Sequence, residues 1–273
     1  MTNKLSKSLL LLVGVFIKLF AYGAEVDTLA VFSKSMSKDI NVVVISPENK
    51  SSETPLLFLL HGYGGDEFAW LNIKPNLPDL VDQYGITIVC PDGKNSWYWD
   101  SPNISTSLYE TFVTKELYPF VLNEYNVIKD KNYVAITGLS MGGHGALWLA
   151  SRYPDLFGAA GSTSGGVNLC EFKTNWNLTE HLGSYNENKQ TWKDYTVMSH
   201  IDKLLASNLA LIIDCGVDDF FYEVNKELHR QLILADVKHD FIIRPGAHNR
   251  EYWNNSIEYQ LLFFSSYFNS LKD

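Results

Sequence analysis

From residue 26 onward the chain alternates between short apolar runs and stretches whose apolar positions recur three or four apart, the patterns of strands and helices. Residues 29–33 and 40–45 predict two opening strands joined by a polar turn. Pro55 leads into 56–60, Leu-Leu-Phe-Leu-Leu, a continuous run expected of a strand buried on both faces. Pro75 suits the first turn of a helix with Leu77, Leu80, Val81 and Tyr84 on one face. Gly85 ends that helix, and 86–90 is the next buried strand. A loop rich in Trp and Tyr follows. It leads to a helix carrying Leu108, Phe112, Val113, Leu117, Phe120 and Val121 on one side, with a kink expected at Pro119. Residues 134–138 and 157–161 predict further strands. The stretch 165–207 shows no strong period and carries Trp176 and Trp192; its length predicts a cap or lid insertion. A strand at 209–215, a helical face of Phe221, Val224, Leu228, Leu232 and Ala235, and a last strand at 241–243 come next. The terminal helix carries Trp253, Ile257, Leu261, Phe264 and Phe268. Repeated β-α units imply one α/β domain, a mainly parallel sheet with helices on both faces and right-handed crossovers.

A length of 273 residues suits a single large domain with a substantial core, and no repeat or linker divides it. The net charge of −9, with no clustered basic stripe, argues against a nucleic-acid surface. The first two dozen residues stand outside the fold. Lys4 and Lys7 precede an apolar run, 9–20, broken only by Lys18, and Ala21-Tyr22-Gly23-Ala24 follows. This is the pattern of a secretory signal peptide, 1–24, with cleavage expected after Gly23 or Ala24. The run is short for a membrane span and contains a lysine, and no cysteine at the cut offers a lipid anchor. The mature domain, 25–273, is therefore expected to be exported, periplasmic or secreted, without a stable membrane anchor. Nothing in the pattern sets an oligomeric state. An exported chain can form disulfides, but three cysteines, Cys90, Cys170 and Cys215, leave at least one thiol free. Cys90 and Cys215 end strand-like runs expected far apart in the sheet and read as small buried hydrophobes. No spacing resembles a metal site.

The chemistry gathers where the 134–138 run ends in Gly138-Leu139-Ser140-Met141-Gly142 and passes into a helix with Leu147, Leu149 and Ala150. That is the pattern of a nucleophile elbow, a strand turning sharply into a helix with a serine at the apex. The glycines fall two residues either side of Ser140, where a Cβ would collide with neighbouring elements. A serine hydroxyl needs a histidine to take its proton and a carboxylate to orient that histidine. On sheets of this kind the chain order is Ser, acid, His. Downstream, His144 should lie along the elbow helix, His229 mid-helix and His239 ahead of a strand, with His181 and His200 in the insertion. Only His248, in Arg244-Pro245-Gly246-Ala247-His248, follows a buried strand on a loop. The acid is expected from Asp214-Cys215-Gly216-Val217-Asp218-Asp219. Asp219 is favoured and Asp218 is the rival, while Asp214, still within the strand, is left to bond to backbone. Two backbone N–H groups should face the oxyanion. One belongs to Met141; the other comes from His61-Gly62-Tyr63-Gly64-Gly65, with Tyr63 favoured and Gly62 or Gly64 one step away. His61, ahead of the glycines, is expected to brace the loop.

Taken together, Leu59-Leu60-His61-Gly62-Tyr63-Gly64-Gly65, Pro91-Asp92-Gly93-x-x-Ser96-Trp97-Tyr98-x-Asp100, Gly138-Leu139-Ser140-Met141-Gly142-Gly143 and Asp214-Cys215-Gly216-x-x-Asp219 resemble the "putative esterase" family. That family contains esterase D (S-formylglutathione hydrolase), tributyrin esterases, feruloyl and acetylxylan esterases, and the mycolyltransferases. The resemblance covers nearly all of the mature chain. It implies an α/β-hydrolase fold, no cofactor, Ser140, Asp219 and His248 as catalytic residues, and Tyr63 and Met141 as oxyanion donors. Combined with the export signal, it implies a secreted serine carboxylesterase for small acyl esters, acetyl or feruloyl groups on polysaccharide among them. Trp97, Tyr98 and Trp99 are expected either to border the acyl or alcohol pocket or to pack under the cap, and Trp176 to close the pocket from the other side. Two alternatives stand beside this reading. One is an acyltransferase using the same triad; the other is a carbohydrate-binding protein on a hydrolase scaffold.

Overall fold

A computed structural model describes residues 23–272, so the signal-peptide segment lies outside the described residues up to Tyr22. Among the described residues one sheet holds β1 (Glu25–Ser33), β2 (Lys38–Ser46), β3 (Leu56–Leu60), β4 (Thr87–Pro91), β5 (Val134–Gly138), β6 (Ala159–Thr163), β7 (Ala210–Gly216) and β8 (Asp240–Arg244). Their order is β1-β2-β4-β3-β5-β6-β7-β8. β1 and β2 form an antiparallel hairpin and β2 runs antiparallel to β4. All remaining pairs are parallel. The strand order reverses between β3 and β5, which opens a crevice at the carboxyl ends of those two strands.

The early helices are α1 (Ala69–Ile73), α2 (Leu77–Tyr84), α3 (Tyr109–Thr111), α4 (Tyr118–Glu124) and α5 (Met141–Arg152). The later ones are α6 (Leu178–Leu182), α7 (Lys189–Asp194), α8 (Ile201–Ser207), α9 (Tyr222–Leu234) and α10 (Arg250–Ser270). The apolar runs of the strands serve two cores. On one face Leu57, Leu59, Ile88 and Ala135 pack against Trp70, Leu77 and Val81 and against Ile257, Leu261, Phe264 and Phe268 of α10. On the other, Phe58, Val89, Ile136 and Ile213 meet Phe112, Leu117, Leu147, Trp148, Val224 and Leu228. Each strand of this central part is buried on both sides, which is why its sequence shows no alternation.

Several local details differ from the sequence expectation, among them β1, which begins at Glu25. β6 begins at Ala159, two residues later than the apolar run, because a turn at Pro154 delivers Phe157 into the core, edge-on to Phe58 and Tyr118. Between α3 and α4 the helix widens into a π turn, Phe112–Leu117, in which the Tyr118 N–H reaches the Val113 carbonyl. Pro119 has no N–H to give the preceding turn, so the irregularity falls just ahead of it. Between β6 and β7 the predicted insertion holds α6 and α7, but its last part, α8, returns to the helical layer. There Leu204 joins the core, and the preceding His200 ring meets Ser151 of α5. Cys90 on β4 and Cys215 on β7 are buried, free and separated by three strands, and Cys170 is also free.

Candidate active site

Ser140 sits at the carboxyl end of β5 with φ 55° and ψ −116°, a conformation costly for a residue with a side chain. The surroundings enforce it. A Cβ on Gly138 would lie 2.6 Å from the Leu60 carbonyl oxygen, and one on Gly142 would run into the same carbonyl. The Ser140 N–H donates to the Thr163 carbonyl at 2.9 Å, and its own carbonyl accepts from His144 N–H at 3.0 Å, so the turn is tied to β6 and to α5. The β5–α5 crossing is thereby tight enough to thrust the side chain out of the sheet edge.

The loops after β7 and β8 are stapled side by side. Val217 N–H donates to the Arg244 carbonyl at 3.0 Å and Asp218 N–H to the Gly246 carbonyl at 2.9 Å. This register turns the Asp218 side chain to solvent and the Asp219 side chain inward, where it is fully buried. The Asp219 carboxylate accepts from Phe221 N–H at 2.8 Å and from His248 Nδ1–H at 2.9 and 3.0 Å. With Nδ1 committed as donor, Nε2 of His248 is the acceptor, 3.0 Å from Ser140 Oγ. Phe220 lies over the imidazole at 4.2 Å between ring centroids, and Trp253 meets it edge-on at 4.9 Å. Asp214 bonds to side chains rather than backbone: it is buried and accepts from Arg244 Nη2 at 2.8 Å and Ser256 Oγ at 2.9 Å.

Opposite the histidine, the 61–65 loop leaves β3 directly beside the elbow. A Cβ on Gly62 would approach the Ser140 Cβ to 3.3 Å. The buried His61 accepts from Gly93 N–H at Nε2, 2.8 Å, and donates from Nδ1 to the Gly62 carbonyl, 2.7 Å. Both its nitrogens are occupied and burial lowers its pKa, so it braces this loop and is unavailable as a base. Gly65 N–H donates to the Gly62 carbonyl, and Gly64 N–H to Asn95 Oδ1 at 2.7 Å. Among the described residues the N–H groups of Tyr63 and Met141 have no protein acceptor.

These groups open into a cleft of about 600 Å³ that Ser140, Tyr63, His248 and Trp176 line together with Phe220, Trp253 and, on the polar side, Asp66, Asn72 and Arg250. Trp97, Tyr98 and Trp99 are not in it. Their exposures are 1%, 0% and 0%, so the expectation that they border the pocket is corrected, and they pack beneath it. Consecutive left-handed backbone at Trp97 and Tyr98 folds the loop inward. The Tyr98 hydroxyl then accepts from His61 N–H at 3.0 Å, and Trp99 Nε1–H donates to His144 Nε2 at 3.0 Å. His144, sealed between that indole and the Gly166 carbonyl, has its pKa pushed down to about 3 by burial. The sequence reading missed Phe220, Trp253 and Arg250. Their one signal was position, beside the favoured acid and just after the favoured base. Among the described residues no group of three or more His, Cys, Asp or Glu side chains could hold a metal ion.

The family profile described as "Putative esterase" matches residues 33–264. The chain belongs to this family. It is a serine esterase with an α/β-hydrolase fold. Over 248 residues it is 25% identical to an acetyl esterase of Caldicellulosiruptor saccharolyticus, covering 83% of this chain and 92% of that one. It is 28% identical to the diacylglycerol acyltransferase/mycolyltransferase Ag85B of Mycolicibacterium smegmatis, covering 86% and 83%. A solved ferulic acid esterase superposes with a TM-score of 0.78 at 27% identity, covering 90% of this chain and 99% of that one. In fold the esterase also matches a fluorophosphonate-binding serine hydrolase of Staphylococcus aureus, with a TM-score of 0.80 at 22% identity over 89% of this chain and 98% of that one.

Proposed function

We propose that this esterase is an exported carboxylesterase that hydrolyses small acyl esters, with acetyl or feruloyl groups on polysaccharide as candidate substrates. The observation that carries the reading is the continuous hydrogen-bonded line from the Asp219 carboxylate through His248 to Ser140 Oγ. Ser140 Oγ attacks the ester carbonyl carbon while His248 Nε2 takes its proton, and the buried Asp219 carboxylate stabilises the imidazolium that results. Negative charge collects on the carbonyl oxygen, facing the Tyr63 and Met141 N–H groups. Each such donor is worth about 3 kcal/mol of transition-state stabilisation. The tetrahedral adduct collapses as the imidazolium returns its proton to the departing alcohol. Water, deprotonated by the same imidazole, then releases the acid from the acyl-serine. Trp176, with Phe220 and Trp253, offers flat apolar surface to the substrate beside this centre. The amino-terminal pattern of basic residues, apolar run and small residues supports export.

A panel of p-nitrophenyl acyl esters of increasing length, run beside methyl ferulate and acetylated xylan, tests the reading. Hydrolysis of the short esters is expected, and its loss in Ser140→Ala. A wild-type rate equal to that of Ser140→Ala would remove the reading. The likeness to a mycolyltransferase favours a second reading, transfer of the acyl group to an alcohol. Adding candidate sugar and lipid alcohols to the same assay separates the two, because a transferase accumulates the acylated alcohol.

A further inference from the structure

We propose that Asn95 and His181 are positioning residues that hold the 62–65 turn so that the Tyr63 N–H stays free and directed at the oxyanion. The inference rests on the acyl-transfer reading above. Gly64 forms the corner of that turn, with φ 77°, and a Cβ there would meet nothing within 4 Å. No neighbour occupies the space on that side of the corner, and hydrogen bonds hold the turn: Gly65 N–H closes it onto the Gly62 carbonyl at 3.0 Å. Gly64 N–H is held by Asn95 Oδ1 at 2.7 Å. Asn95 lies on the loop after β4, and its own carbonyl is held in turn by His181 Nε2–H at 3.1 Å. His181 belongs to α6 of the insertion and is 6% exposed, packed against the Trp99 ring at 6.0 Å between centroids. A line of bonds thus runs from the insertion through Asn95 to the residue after Tyr63.

Neither Asn95 nor His181 lines the cleft, so a change at either reaches the chemistry only through the turn. The Gly62 carbonyl, in the same peptide plane as the Tyr63 N–H, accepts from His61 Nδ1–H and Gly65 N–H, so losing Asn95 frees the Tyr63–Gly64 plane alone and loosens Tyr63 through it. The Tyr63 N–H then spends less time on the line to Ser140. Loss of a whole oxyanion donor costs about 10²–10³ in kcat, so a loosened one should cost about tenfold.

The test measures kcat and KM for p-nitrophenyl acetate and the affinity of a trifluoromethyl ketone, which places an oxyanion in the site. The proteins are wild type, Ser140→Ala, Asn95→Ala, Asn95→Asp, His181→Ala and His181→Gln. Asn95→Ala is expected to lower kcat about tenfold and weaken the ketone by a similar factor, with KM within about twofold. Asn95→Asp keeps an acceptor for Gly64 N–H and should recover most of kcat. His181→Ala should fall in the same direction by less, and His181→Gln, which keeps a donor, should recover. If His181→Ala does not fold, Asn95→Ala, at a half-buried loop position, decides alone. An active wild type matched in kcat and ketone affinity by Asn95→Ala would overturn this inference and leave the acyl-transfer reading intact. Equal background rates in wild type and Ser140→Ala would remove both.

Discussion

Asp218 and Asp219 are neighbours of identical chemistry, and the backbone pairing of their loop with the one after β8 separates their fates. Because Asp218 N–H is committed to the Gly246 carbonyl, its carboxylate points to water, and the next one turns beneath His248. Asp219→Asn should therefore lower kcat/KM by about 10³–10⁴, through loss of the tautomer and of the charge that stabilises the imidazolium. Asp218→Ala should stay within about twofold of wild type. Matched kinetics on one short ester decide this, and a larger loss at Asp218 would contradict the geometry. Gly142 makes a second residue-scale case. Its Cα faces the Leu60 and His61 carbonyl oxygens with no space for a methyl group, and backbone cannot yield as a side-chain tip can. Gly142→Ala is expected to give little soluble protein, and what folds should show an elbow too distorted to react. A soluble, fully active Gly142→Ala protein would contradict it.

At the scale of elements, the central strands were legible because a strand buried on both faces leaves an unbroken apolar run. Edges were less so: β6 starts late because the chain leaves α5 through a Pro turn that the apolar pattern continues across. The orientation of 97–99 was not legible at all, since an aromatic triplet suits a pocket wall and a core equally. Left-handed backbone at Trp97 and Tyr98, together with polar partners for Tyr98 and Trp99 inside the protein, turned it inward. The elbow helix has a comparable hidden anchor. The buried Glu110 accepts from Trp148 Nε1 at 2.9 Å, Arg152 Nε at 2.9 Å and Tyr153 hydroxyl at 2.8 Å, tying α3 to the end of α5. Removing Glu110 strands the Trp148 and Tyr153 donors while the part-exposed Arg152 can turn to water, so Glu110→Ala should destabilise the fold by about 1–3 kcal/mol. Urea unfolding reads this directly, and a loss below about 1 kcal/mol would show that the network contributes little.

For the whole molecule, the buried histidines outside the catalytic line make stability depend on acid. Burial lowers the pKa of His61, His144, His181 and His200 below the ordinary histidine value of 6.5, to about 3 for His144. Between that folded value and 6.5 the unfolded chain binds protons that the folded chain does not. Stability is therefore full above pH 6.5 and falls as the pH drops below it. His144 alone contributes a slope of about 1.4 kcal/mol per pH unit. Unfolding free energy at pH 5 should lie at least about 2 kcal/mol below that at pH 7, and an unchanged value would contradict the burial of these rings. The site is likewise a property of the whole chain. Order and spacing were enough to suggest which residues reach the carboxyl edge, because strand ends converge there whatever the loops do. Phe220 beside His248, and the bond from Asn95 to the 62–65 turn, depend on loop conformations that carry no periodic signal, while the helical period of α10 did not show that Trp253 would face His248. The most direct measurement is peptide mass spectrometry after treating the native protein with a fluorophosphonate. One adduct is expected, on the peptide holding Ser140, formed much more slowly in His248→Ala; no adduct, or one on another residue, would contradict a nucleophilic Ser140.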